Sequence, residues 1–369
     1  MRPHFERHHF ERHHRELADS DEYNGGIGTL PETEDIESIL DTAFWASLLR
    51  EERINPKISL VYMEASAKGT LQFERPIPLT PQSLSKLAPA VERPGLHLGL
   101  CRDGSGYAIW GVTRVLPPYT LVIEVVMPGL LVVKHSRAES GRKFANLAVL
   151  ESNRVKVLDP SVAVVPNCPA ALTSLMRFDG ADSGDSLNVL VELSASMRSH
   201  GRGGSLLVIP SRQSAWRDSI VSPVSYPVSP PFSKISYLLQ RDEQERDGGP
   251  WKSSMERTIA TIAGLTAVDG ATLITETYDV LAFGAKIGRR DGWAAVTQIL
   301  ATEPVVGNVP EVVHPSQLGG TRHLSAAQFV HDQRDSLALV ASQDGRFTVF
   351  SWSECEGMVE AHSLETMLL

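Results

Sequence analysis

Hydrophobic and polar positions fall into two rhythms along the chain. Ile36, Ile39, Leu40, Ala43, Phe44 and Leu48 recur at helical spacing and predict one amphipathic helix. Strand-like runs follow at 58–63, 71–73, 96–101, 107–112, 121–126 and 130–133. Asp103-Gly104, Pro117-Pro118 and Pro128-Gly129 punctuate them as turns. Between the strands, Thr80 to Leu87 reads as a short helix capped by Thr80. This block predicts a small, mostly antiparallel α+β domain ending near residue 160.

The second rhythm alternates helix and strand. In 186–200, Leu187, Leu190, Val191 and Met197 share a face and Gly201 can stop the helix, although Val189-Leu190-Val191 also suits a strand. Residues 205–209 form a compact apolar strand. The proline-rich 222–231 (SPVSYPVSPP) and the charged 241–249 read as surface loops. A helix carries Met255, Ile259, Ile262 and Ala263 and is expected to end at Gly264. Strands are expected at 268–274 and 280–287, and a helix at 325–331. A hairpin over 336–342 and 346–352 turns at Asp344-Gly345. The expected fold is α/β: a mixed sheet covered by helices, preceded by a smaller α+β domain. The boundaries are a His-rich disordered tail at 1–30, a first domain at 31–165 and a second at 170–369.

With 369 residues, 42% hydrophobic and 21% charged, the chain can bury two cores. A net charge of −9 argues against a nucleic-acid wrapper, but leaves room for a local basic pocket. Cys101, Cys168 and Cys355 are far apart, fitting neither a disulfide framework nor a zinc site. No apolar run reaches the roughly 18 residues of a membrane span. The first 15 residues lack the apolar core of a signal peptide, so the expectation is a cytoplasmic protein. The tail repeats His-Phe-Glu-Arg-His at 4–8 and 9–13, a spacing that would grip a metal only if helical.

Two segments carry candidate chemistry. Asp269-Gly270-Ala271 puts a carboxylate at a strand edge, where Mg²⁺ or Mn²⁺ could share it with substrate phosphates, and Gly270 would let backbone approach a ligand. The plain alternative is an Asp-Gly turn. Gly319-Gly320-Thr321-Arg322-His323 stands directly before a helix, so its amides, hydroxyl, guanidinium and imidazole suit a phosphate chain. The plain alternative there is a loop with Thr321 as N-cap. Both segments lie at element ends, where open α/β sheets bind ligands. A phosphate loop GxxxxGK[ST] and a nucleophile elbow GxSxG are absent. Gly201-Arg202-Gly203-Gly204 precedes a strand instead of following one, the wrong order for a dinucleotide loop, and reads as a helix-to-strand turn.

Asp269-Gly270-Ala271 followed by Gly320-Thr321-Arg322-His323 is similar to the paired DGA and GTRHR motifs of diadenylate cyclase (DAC, or DisA-N) domains. Leu281 to Ala285 and Ala338 to Gly345 resemble the flanking strands of that family. Phe73-Glu74-Arg75-Pro76, Ile109-Trp110-Gly111 and Gly203 to Pro210 resemble DACNV-type probable sensor proteins. The resemblance implies two facing domains that condense two ATP molecules into cyclic di-AMP, with a homodimer or higher symmetric oligomer as the working unit. It implies Asp269 as catalytic metal ligand for Mg²⁺ or Mn²⁺, and Gly270, Ala271, Gly320, Thr321, Arg322 and His323 as nucleotide-binding residues.

One position departs from the motif: Leu324 stands where the family has its last arginine. A leucine cannot replace a bidentate cation beside a triphosphate, and losing one such contact costs on the order of 10²–10³ in rate. Arg289 and Arg290 are candidates to supply the charge, the alternative being a solvated turn. Three functions remain open: a sensor binding ATP or a cyclic di-AMP-type nucleotide, an active diadenylate cyclase, or a structural domain whose motifs are turns.

Overall fold

A computed structural model describes residues 28–29, 31–50, 54–65, 69–104, 106–136, 144–152, 154–158, 188–212, 214–246 and 249–369. The His-rich repeats and Cys168 lie outside the described residues. The fold is mixed α/β with two large sheets, and the chain divides into two compact units, one within 1–158 (joined by Leu369) and one within 159–368.

In the first unit, helix α1 (Thr33–Leu48) has Glu32 as N-cap and Asp35 reaching back to the Glu32 amide at 2.8 Å. Its Ile39, Ala43 and Ala46 face the sheet. Helix α2 (Pro81–Leu87) starts on Thr80, whose hydroxyl accepts the Ser83 amide. The eight strands are β1 (Ile58–Tyr62), β2 (Thr70–Pro78), β3 (His97–Asp103), β4 (Gly106–Thr113), β5 (Leu121–Met127), β6 (Leu130–Ser136), β7 (Phe144–Glu151) and β8 (Arg154–Val157). They order as β2-β4-β3-β1-β5-β6-β7-β8. Only the β1–β3 neighbours are parallel; the other pairs are antiparallel. Strands β7 and β8 were not anticipated. One sheet face buries Leu60, Leu98, Ile109 and Ile123 with the helices; the other carries a smaller cluster of Val61, Met63, Trp110, Leu116 and Val122.

The second unit is built on a nine-stranded sheet. Helix α3 (Val189–Ser199), capped by Asn188, precedes β9 (Gly204–Ile209), so the ambiguous apolar run is helical. Strand β10 (Tyr226–Phe232) begins inside the stretch expected to be a loop and runs one residue past it. Its prolines are tolerated because, among the described residues, it is an edge strand paired only to β12 (Val280–Ala285) across an irregular register. Helices α4 (Lys234–Leu239) and α5 (Glu243–Arg246) follow, the latter inside the expected charged loop. Helix α6 (Gly249–Thr266) runs past Gly264, an exposed position with open space around it.

The remaining elements are β11 (Ala271–Thr275), β13 (Ile299–Thr302), β14 (Glu311–Val313), α7 (Thr321–Asp332), β15 (Leu337–Ala341), β16 (Phe347–Ser353) and β17 (Met358–Ser363). The strand order is β10-β12-β11-β9-β15-β16-β17-β13-β14. Ala326, Ala327, Phe329 and Val330 of α7 bury one face against Leu207, Ile209, Ala338 and Phe350. Helices α3 and α6 pack on one another, α3 also touching β15 and α6 touching β9, β11 and β12. The β15–β16 hairpin turns at Asp344-Gly345 as expected, while β13, β14 and β17 add a flank not read from the sequence.

Candidate functional site

Strand register brings the two candidate motifs to one end of the second sheet. Strands β9 and β11 run parallel with Ala271 beside Ser205, so Asp269 and Gly203 each lie two residues before a paired position, at the same sheet end. Strand β15 runs antiparallel to β9 with Ala341 beside Gly204, and β12 antiparallel to β11 with Ala285 beside Ala271. The same end therefore collects the residues entering β9 and β11 and those leaving β12 and β15. A methyl group on Gly203 would lie 2.8 Å from Arg322 Nη1 and 3.1 Å from the Ala341 carbonyl oxygen. The guanidinium from the first turn of α7 thus rests against the turn that leads into β9. This is the amino end of the parallel β9–β11 pair, not the carboxyl end at which open parallel sheets usually bind.

Each motif residue has a definite setting. Asp269 is exposed, and its side chain has no hydrogen-bond or ion-pair partner among the described residues. Gly270 has φ +103, and a Cβ there would meet the Gly284 carbonyl carbon at 2.5 Å. Its close approach is therefore to β12, not to a ligand. Ala271 is buried in the ladder between β9 and β12. The helix begins earlier than expected, with Gly320 as N-cap and Thr321, Arg322 and His323 already in its first turn. Thr321 is exposed and Arg322 half-buried; the Arg322 side chain makes no hydrogen bond or ion pair among the described residues.

His323 points the other way. It is 2% exposed, lies edge-on to Phe350 at 6.0 Å and has Nε2 3.4 Å from Thr348 Oγ1. Gly319 makes room for it, since a Cβ there would come within 2.3 Å of His323 Nδ1. Burial first, then the positive charges of Arg346 and Arg322, lower its pKa against the opposing pull of Asp344. A neutral, inward imidazole anchors the helix start and does not present a charged donor at the open edge.

Residues that the motif reading did not single out complete the edge. Arg346 pairs with Asp344 through Nε at 2.8 Å, and its Nη1 donates to the Leu318 carbonyl at 3.1 Å, tying the hairpin turn to the glycine loop. The Arg346 bonds hold the Asp344 carboxyl down to about 2. Arg198 Nε donates to the Gly345 carbonyl at 3.0 Å, and Gln343 Nε2 to the Arg202 carbonyl at 3.3 Å. Position 324 is a 39% exposed leucine in the same helical turn. Arg290 does not supply the missing charge: its amide donates to Asp332 Oδ2 at 2.8 Å, at the far end of α7. Among the described residues, no group of three His, Cys, Asp or Glu side chains could hold a metal ion. A divalent ion at Asp269 would therefore rely on ligand phosphates and water, which is how Mg²⁺ is commonly held.

Residues 26–114 match the family described as "Probable sensor domain DACNV". The match covers less than half of the chain and falls in the first unit, so it does not reach Asp269 or Arg322. It suggests a sensor role for the protein. No curated protein matches the chain. No helix among the described residues is long and apolar enough to cross a membrane.

Proposed function

We propose that the second unit binds the phosphates of ATP or of a cyclic di-AMP-type nucleotide at this sheet end, and that the chain is a nucleotide sensor. The supporting observation is convergence: Asp269 precedes β11 and Gly203 precedes β9 at the same sheet end, and the Arg322 guanidinium rests on Gly203. Arg322 retains its N–H donors for phosphate oxygens, and the α7 amides and the helix dipole favour an anion at the same place. Asp269 is the residue that would hold Mg²⁺ or Mn²⁺, whose chemistry is to neutralise phosphate charge. In the family arrangement a facing copy of the chain supplies the second nucleotide.

The second reading, an active diadenylate cyclase, is favoured by one feature. Asp269 is an exposed carboxylate without a protein partner, which a sensor has little need to keep. Leu324 opposes that reading, because the first turn of α7 lacks a second cation.

Calorimetry with ATP and with cyclic di-AMP, each with Mn²⁺, is expected to show binding that Asp269→Asn combined with Arg322→Ala abolishes. Undiminished binding in the double variant would overturn both readings. Mass spectrometry of the ATP incubation separates them. The sensor yields no cyclic di-AMP until Leu324→Arg restores the cation, whereas product from the unaltered chain that vanishes in Asp269→Asn identifies a cyclase.

A further inference from the structure

The opposite end of the same strands holds a cleft of about 210 Å³. It opens between Pro210 after β9, Ser336 before β15 and the last turn of α7. This is the carboxyl end of the parallel β9–β11 pair, where open sheets usually hold ligands. We infer that the cleft binds a small oxyanion carried on a flat ring.

Two arginines frame it. The Arg334 guanidinium stacks 3.9 Å over the Trp352 ring and lies 5.5 Å from Trp293, and Arg290 lies 5.4 Å from the same Trp293 ring. Stacking occupies the faces of a guanidinium and leaves its N–H edges free, the geometry that receives a two-oxygen anion. Arg334 makes no hydrogen bond or ion pair among the described residues. The ion pair of Arg290, with Asp218 at 3.5 Å, is partly exposed and long.

Asp332 lines the cleft but is not a competing anion. Its buried carboxylate accepts from the Arg290 amide at 2.8 Å, Gln328 Nε2 at 2.9 Å and His331 Nδ1 at 2.8 Å. It therefore fixes the floor. Half-buried Trp293 lines the wall with apolar ring surface; Trp216 also lines it but is 7% exposed, with the Arg217 guanidinium 4.4 Å from its ring. Trp352 Nε1 is a buried donor with no acceptor among the described residues. The volume lies below the roughly 300–1,000 Å³ of drug-sized sites, which suits one ring and one acid group and excludes a dinucleotide. Asp218 beside Arg290 and Asp335 on the rim disfavour a polyphosphate.

The test is calorimetry with parallel tryptophan fluorescence on the full chain, using benzoate, phenyl phosphate and inorganic phosphate as probes. Saturable binding of benzoate or phenyl phosphate is expected, and which of the two binds distinguishes a carboxylate from a phosphate source. That binding should weaken at least about ten-fold in Arg334→Ala and in Arg334→Lys, which keeps the charge but loses the fork. Arg322→Ala, at the other sheet end, should leave it unchanged. Arg334 is exposed, so an unaltered melting curve in both variants shows that folding is intact. Three results would overturn the assignment: no saturable binding of any probe, binding indifferent to both Arg334 variants, or binding lost in Arg322→Ala. Equal binding of inorganic phosphate would remove the ring from it. Loss in Arg322→Ala would move the binding to the nucleotide end; the other outcomes leave the reading of that end untouched.

Discussion

His97 is 2% exposed on β3, with Ser59 Oγ 2.7 Å from its Nδ1 and the Phe144 ring edge-on at 5.9 Å. Burial holds its pKa down to about 4, outweighing the opposing charge of Glu124. An unfolded histidine titrates near 6.5, so between roughly pH 6.5 and 4 the unfolded chain binds a proton that the folded one refuses. This contribution to stability is complete above pH 6.5 and is lost as the pH falls, by about 3 kcal/mol near pH 4. His97→Gln should shrink the difference between denaturation midpoints at pH 7 and pH 4.5. An unchanged difference would assign the acid sensitivity to other groups. At this scale residue type was legible and direction was not. Arg322 and His323 are neighbours in one motif, yet the helix begins at Thr321 and one side chain stays near the surface while the other is buried. Only the room left by Gly319 and the ring of Phe350 settle which turns inward.

Elements were readable where one periodicity ruled. Helix α1 shows its apolar stripe, α2 its threonine cap and the β15–β16 hairpin its Asp-Gly turn. Strand β10 was hidden by prolines that an edge position permits, and β13, β14 and β17 are short or polar, with Glu360 and His362 buried inside β17. The turn between α3 and β9 was legible as a turn, but not as the floor under Arg322. Gly201 and Gly203 there have φ +64 and +70, yet only a Cβ on Gly203 would strike Arg322; at Gly201 the space is open. Gly201→Ala should therefore cost only left-handed strain, roughly 1–2 kcal/mol. Gly203→Ala should cost more and also weaken nucleotide binding by displacing the guanidinium. Denaturation midpoints with ATP calorimetry on both variants check this, and equal behaviour of the two would detach Gly203 from the site.

Across the whole molecule, the sensor-like segment and the motif-bearing sheet end belong to different compact units, each with its own buried cluster. A unit with its own core can in principle fold alone. All the groups proposed to meet phosphate, Asp269, Arg322 and the first amides of α7, lie within the second unit. A fragment of residues 188–369 should therefore melt cooperatively and bind ATP as tightly as the full chain, if recognition is local to the sheet end. The chain carries a net charge of −9, so the bulk field does not attract an anion and local donors must do so. Raising salt should then weaken binding through screening of Arg322, and Arg322→Ala should flatten that dependence in fragment and full chain alike. A fragment that folds but no longer binds would transfer part of the recognition to the first unit. The segment resembling a sensor domain would then contribute to the ligand site instead of only reading its occupancy.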